Sequence, residues 1–219
     1  MNGLPNLDCV DVEELSRTVG IRLTFFSKGT TSLAFVGEMN GRKILVKLQR
    51  PDSPRINLQK EFKILRFLYP FRITPRPIRY GNFEGLDFIV RELAEGLEIR
   101  RAVDIITGRH VFLMMYKALT LDRLGIDHGQ IQGGKHVIVG DDVWFIDFEK
   151  AGFRRTNNLT ALLSMLFLGE NEIAREMSKK FGLDDTFKNK LLEAAARYKR
   201  SGDFRDVFTV VGELLPSSV

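Results

Sequence analysis

The sequence predicts an α+β fold in two lobes, a β-rich N-terminal lobe with one inserted helix and a mainly α-helical C-terminal lobe. Three observations predict it. Short strand-like runs joined by turn residues such as Asn40-Gly41 fill the first 94 positions. Helical periodicity, punctuated by Gly169, Gly182 and Gly202, dominates the rest. Hydrophobic residues make up 44% of the chain and 17 of them are Phe, enough to fill a core of that size.

In chain order, residues 8–18 predict a short leading helix. Strand-like runs follow at 22–27, 32–39 and 42–49. Lys28, Gly29, Thr30 and Thr31 join the first pair, and Asn40-Gly41 is a two-residue hairpin signal between the second and third. The prolines at 51 and 54 break the pattern. Residues 55–69 then carry a helical stripe of Leu58, Phe62, Leu65 and Tyr69, which Pro70 ends. Strands are predicted at 77–82 and 86–93 around a turn at 83–85, which sets a boundary between lobes 1–94 and 95–219. Beyond it come a long helix at 109–124, a polar loop, strands at 136–139 and 143–146, and helices at 157–168, 170–181, 185–200 and 203–214. The glycines at the breaks suit helix C-terminal caps, and Leu191, Leu192, Ala195 and Tyr198 are expected to pack the second lobe.

Bulk properties exclude several classes. The apolar run 161–168 is too short to span a bilayer, and the N-terminus MNGLPNLDCV lacks a basic start and an apolar signal region, so a cytoplasmic location is expected. The single Cys9 excludes an internal disulfide and a zinc site built on several thiolates. Net charge is +5, which permits a phosphate-rich partner, but acids and bases are mixed along the chain.

Four features carry chemistry. Lys47 lies within the apolar strand run KILVKLQR, where alone it reads more readily as a snorkelling or solvent-facing lysine. Glu61 falls at the edge of the helical stripe, turned either to water or to a cation. A strand lysine followed by a helix glutamate is the pairing that sets a lysine on nucleotide phosphates. In VWFIDFE a strand ends at Asp147, a place suited to holding Mg²⁺. The loop 127–136 is polar or glycine except for Ile131, and contains Asp127, His128, Gln130, Lys135 and His136. Its Gly133-Gly134-Lys135 is not a P-loop, because a strand rather than a helix follows. Finally, the small-residue turn 27–32, with Gly29, suits a phosphate cradle but has one glycine only.

Taken in this order, residues 20–168 resemble the protein kinase superfamily. They are most similar to its small atypical branch, which holds RIO-type kinases, lipopolysaccharide kinases and archaeal predicted serine/threonine kinases. The resemblance implies a bilobal kinase-like fold that uses ATP and Mg²⁺. It makes Lys47 the phosphate-binding lysine, Glu61 its partner and Gly29 the phosphate-loop glycine. Asp147 becomes the metal-binding aspartate of Asp-Phe-Gly, and Arg91–Ala94 the hinge between lobes, where the backbone at Glu92 and Leu93 meets adenine.

Three departures stand out. Glu149 replaces the glycine of Asp-Phe-Gly, as small-molecule kinases of the superfamily often do. No long activation segment or Ala-Pro-Glu ending follows Asp147, a feature RIO-type kinases also lack. Where the family has His-Gly-Asp the chain has His128-Gly129-Gln130, and the metal-binding asparagine falls on Lys135, or on His136 with one inserted residue. Glutamine is no base at neutral pH but can orient an attacking group, and Asp127 is the one carboxylate in the loop.

The resemblance therefore implies an atypical serine/threonine-type kinase acting on a protein, itself or a small molecule. A pseudokinase that binds nucleotide without transfer is the alternative that Gln130 keeps open. Net charge and the RIO likeness add contact with RNA or ribosomes as a third reading.

Overall fold

The computed structural model describes residues 10–54 and 57–214. Cys9, the start of the predicted 8–18 helix and the first two residues of the predicted 55–69 helix lie outside them. The chain divides into two compact units. One comprises the residues through Pro70 with Thr74–Ala94; the other comprises Phe71–Ile73 with the residues from Glu95 onward.

The first unit opens with α1 (Val12–Val19), whose first turn is capped by the Asp11 carboxylate accepting from the N–H groups of Glu13 and Glu14. An antiparallel sheet follows, with β1 (Thr24–Lys28), β2 (Ser32–Met39), β3 (Arg42–Gln49), β4 (Pro77–Phe83) and β5 (Leu86–Glu92) in the order β1-β2-β3-β5-β4. α2 (Leu58–Leu68) is inserted between β3 and β4. The β2–β3 turn has positive φ at both Asn40 (51°) and Gly41 (73°), the conformation that closes a two-residue hairpin with the twist of its strands. Glu84 and Gly85 repeat it between β4 and β5, helped by the Asn82 side chain, which accepts from the Gly85 N–H at 2.9 Å.

The period of two divides central strand β3. Ile44, Val46 and Leu48 enter a core with Leu15 and Val19 of α1 and Phe35 of β2. Lys47 therefore points to the opposite face. The buried side of α2 is Leu58, Glu61, Ile64, Leu65 and Leu68, whereas Tyr69 is exposed and Phe62 only half-buried. The stripe is thus rotated from the predicted one and Glu61 lies within it, because Lys47 supplies a countercharge on that face. α2 ends at Leu68 with Tyr69 as its C-cap, just before Pro70, and passes into a 3₁₀ turn, Tyr69–Phe71.

The second unit contains β6 (Leu97–Glu98), α3 (Ile99–Ala102), α4 (Gly108–Arg123), β7 (Ile126–Asp127), β8 (Val137–Val139), β9 (Val143–Phe145) and β10 (Gly152–Phe153). Then come α5 (Asn158–Leu163), continued by a π-helical turn Ser164–Leu168, α6 (Glu172–Phe181), α7 (Asp185–Ser201) and α8 (Arg205–Gly212). β6, β8 and β9 form one antiparallel sheet and β7 pairs with β10. The two-residue strands are too short to leave a period in the sequence. Gly182 and Gly202 are left-handed caps as expected, but Gly169 is not: its φ is −82°, and glycine stands there because a Cβ would lie 2.7 Å from the Ser164 carbonyl oxygen. Leu191 and Ala195 are buried, whereas Leu192 faces solvent.

A buried pin ties α4 to the β8–β9 turn. Lys117 Nζ donates to Asp142 Oδ1 at 2.9 Å and to the Val143 carbonyl, and lies over the Trp144 ring. Burial lowers the Lys117 pKa even against the pull of Asp142. Phe71–Ile73 joins the same region, where the Phe145 N–H donates to the Ile73 carbonyl at 2.9 Å. No helix among the described residues is long and apolar enough to cross a membrane.

Candidate active site

In the first unit, Lys47 lies on β3 opposite Ala34 of β2 and Ile89 of β5. The small Ala34 leaves room for the lysine stem. Lys47 Nζ donates to Glu61 Oε2 at 2.8 Å; the lysine side chain is 12% exposed and the glutamate 3%. Desolvating both charges is costly, and removing either would take from the other the charge that faces it. The pair fixes the ammonium at one point on the sheet.

The neighbouring backbone is already partly committed. The Gly29 N–H donates to the Ser32 carbonyl at 2.8 Å, so it is used inside the β1–β2 turn. Arg50, itself held by Asp52, donates to the carbonyls of Gly29 and Thr30 and staples that turn. At the end of β5, the Glu92 N–H donates to the Arg76 carbonyl and the Leu93 N–H to the Lys43 carbonyl. Adenine recognition by these two residues would fall to their carbonyls, and that of Glu92 already accepts from Arg91.

In the second unit, β7 delivers Asp127 beside Gly152 of β10. Asp127 Oδ2 accepts from Arg154 Nε at 2.6 Å and Oδ1 accepts from the Gly129 N–H at 3.2 Å. Gly129 has φ +78°, and a Cβ there would meet Arg154 Nη2 at 2.7 Å and the Lys150 carbonyl oxygen at 3.1 Å, so the turn requires glycine.

His128 is fully buried against Phe148. Its Nε2 lies 3.0 Å from the Ile146 carbonyl, which can only accept, so the ring proton is on Nε2. Nδ1 is buried without a partner. Burial first, then the neighbouring His136, pushes the His128 pKa down to about 4, so the ring is neutral at pH 7.

Asn158 locks the loop. It accepts from the His128 N–H at 2.9 Å and donates to the Ile126 carbonyl and to Asp122, both at 2.8 Å. Asp122 also accepts from the Asn158 and Leu159 N–H groups and from the Tyr198 hydroxyl.

Asp127, Gln130, Gln132, His136, Arg154 and Asn158 line one cavity of about 480 Å³. Gln130 Oε1 is buried there without a hydrogen-bond partner. Lys135 is exposed and does not line it. His136 Nδ1 is 3.6 Å from Asp147 Oδ2, an electrostatic contact too long for a hydrogen bond. Asp147 has φ +63°, a strained conformation for a residue with a Cβ and one that clusters at functional positions.

The sequence reading thus found Asp127, Gln130 and His136, which share this cavity, and Asp147 beside His136. It missed Arg154, Asn158 and Arg50, whose partners are 27, 30 and 21 residues away in sequence. Among the described residues no cluster of three or more metal-ligating side chains occurs. A single carboxylate at Asp147 fits a Mg²⁺ that takes most of its shell from phosphate and water. His136, expected beside it at the metal, brings an imidazole, a ligand less suited to that hard cation than a carboxylate.

No family model matches the chain. Over 115 residues, 50% of this chain and 98% of the other protein, it is 32% identical to the uncharacterized protein MJ1211 of Methanocaldococcus jannaschii. A co-crystal structure of WbdD with the kinase inhibitor LY294002 matches with a TM-score of 0.55 and 13% identity, over 89% of this chain. The match spans 46% of that solved chain, less than half its length, and the likeness is one of fold. The α+β, bilobal kinase-like fold class agrees with it.

Proposed function

We propose that this chain, which belongs to the same family as the uncharacterized protein MJ1211 and has a kinase-like fold, is an ATP-dependent phosphotransferase acting on a hydroxyl. The observation that carries the reading is the buried Lys47–Glu61 pair at 2.8 Å. A desolvated ion pair contributes little net stability, but a lysine held at one point suits a triphosphate.

In this reading residues 1–94 hold the nucleotide and residues 95–219 present the acceptor, at a cytoplasmic location. Lys47 neutralises phosphate oxygens, and Asp147 offers the carboxylate for Mg²⁺, which would supply further charge neutralisation when bound. His128 holds the Ile146 carbonyl and so positions the residue before Asp147. The Gln130 amide orients the acceptor hydroxyl. The hydroxyl oxygen bonds to the γ-phosphorus, the bond to the β–γ bridging oxygen breaks, and ADP leaves. The hydroxyl proton passes to Asp127 or to solvent. The acceptor is a protein serine or threonine, the chain itself or a small molecule.

One observation favours a second reading, nucleotide binding without transfer. Asp127 is held by Arg154 at 2.6 Å and Gln130 cannot take a proton. Label transfer from γ-labelled ATP with Mg²⁺ separates the two. Transfer or ATP turnover by the wild type that is lost in Lys47→Ala and Asp147→Ala supports an enzyme. ATP binding without turnover supports the alternative, and equal activity in wild type and both variants sinks the assignment of these residues.

A further inference from the structure

A second cavity, of about 560 Å³, lies at the C-terminal end of α4, against α5 and the end of α7. It is lined by Asp122, Arg123, Arg155, Thr156, Tyr198 and Lys199, among others. Its one carboxylate is spent. Asp122 accepts from the Asn158 N–H and Nδ2 at 2.8 Å, from the Leu159 N–H at 3.0 Å and from the Tyr198 hydroxyl at 2.8 Å. Those four bonds direct its charge toward α5 and α7.

Its cations are not spent. Arg155 and Lys199 make no hydrogen bond or ion pair among the described residues. Arg123 makes none either; its guanidinium lies 4.6 Å over the Phe204 ring, which restricts its orientation without neutralising it. Elsewhere, Arg42, Arg50, Arg154, Arg197 and Arg205 all face carboxylates within 2.5 to 2.8 Å. Three cations without a carboxylate partner line one concavity, and the group that complements them is an anion.

We propose that this cavity binds a phosphomonoester carried by a small molecule. Two guanidinium forks and an ammonium match the oxygens of a phosphate dianion, which accepts charge-assisted hydrogen bonds from several directions. A concavity of this volume takes a small ligand, whereas RNA is met by an extended basic stripe. The site does not depend on the nucleotide being hydrolysed. Asn157 lines both this cavity and the one holding Gln130, and Arg155 follows the arginine that holds Asp127. A phosphate seated here therefore bears on the segment that fixes the catalytic loop.

The test is a titration of isotope-labelled protein with ribose 5-phosphate, with ribose as the control, followed by amide chemical shifts. Saturable shifts at Thr156, Tyr198 and Gly202, absent with ribose, are expected. Arg155→Ala/Lys199→Ala should weaken binding tenfold or more while its melting curve stays that of the wild type, since both side chains are exposed. Unchanged affinity in the double variant overturns the proposal. So do shifts confined to the neighbourhood of Gly29 and Lys47, equal response to ribose, or no response at low ionic strength. Binding of an RNA oligomer with steep salt dependence, and none of ribose 5-phosphate, would likewise replace it. None of these results requires ATP turnover, so its failure is separate from that of the kinase reading.

Discussion

The two units hold charge in different ways. In the sheet unit the central feature is one buried pair, Lys47–Glu61, set by the register of β3 and the period of α2. In the helical unit Asp122, Asp127 and Asp142 are each engaged by two or more donors, and the neutral Gln130 lines the cavity with Asp127. In the proposed kinase reading, holding phosphates and removing a proton are separable requirements. The first depends on regular elements that fix a side chain in space. The second depends on a loop, where one substitution changes the chemistry without disturbing the fold.

The sharpest way to break this contrast is to remove the charge from each unit in turn. Lys47→Ala and Asp147→Ala are each expected to cut transfer from ATP by about 100-fold or more, the scale on which a lost transition-state charge contact acts. A smaller effect in one of them would show that the unit concerned is not needed for phosphate stabilisation. Next, the loop can be probed by Asp127→Asn beside Gln130→Ala. If Asp127 is the proton acceptor, Asp127→Asn loses about 10²-fold or more and Gln130→Ala much less, since acid–base help has that size. The reverse order would make Gln130 the residue that positions the acceptor.

The same contrast explains what the sequence could show. β2 and β3 fall at the predicted residues because alternation and an Asn-Gly turn define both ends. The Lys47–Glu61 pairing was legible because each residue sits on a regular element, but the burial of Glu61 was not. A helical stripe can be drawn through Tyr69 or through Leu68, and only the tertiary partner chooses. In the loop, residue types were legible and their anchors were not. Asn158 reaches Ile126 and His128 across 30 residues or more, and Arg154 reaches Asp127 through a two-residue strand pair. Such contacts have no period, so nothing in local sequence marks them. Leu192 shows the converse error: an apolar residue in a helical pattern can still face water.

Stability offers a third probe, this time of the helical unit alone. His128 has a folded pKa of about 4, against 6.5 for a free imidazole. Above pH 6.5 the ring is neutral both folded and unfolded and adds no pH dependence. Between 6.5 and 4 the unfolded chain binds a proton that the folded chain does not, so stability falls as pH falls. The loss should approach about 3 kcal/mol near pH 4 and then level off. Urea midpoints at pH 7 and pH 4.5 should therefore move further apart in the wild type than in His128→Gln. Direct titration of the ring by NMR gives the same answer without a variant. A ring that titrates near 6.5 would mean that the loop opens to water far more readily than its packing suggests.

The smallest effect is expected where the geometry looks as good as that of Lys47–Glu61. Arg42 Nη1 and Glu92 Oε1 are 2.6 Å apart, at the neighbouring ends of β3 and β5. The arginine is 66% and the glutamate 27% exposed, against 12% and 3% for the buried pair. Water screens the exposed pair, and ordering two long side chains offsets much of its attraction. Arg42→Ala should therefore cost little, and less still at high salt. Removing one partner of the buried pair by Lys47→Ala should cost about 3 kcal/mol, because Glu61 stays desolvated and loses the ammonium that faces it. Denaturant unfolding of both variants at two salt concentrations measures the difference. Equal costs would show that contact distance sets the strength of these pairs; a much larger cost in Lys47→Ala would show that burial does.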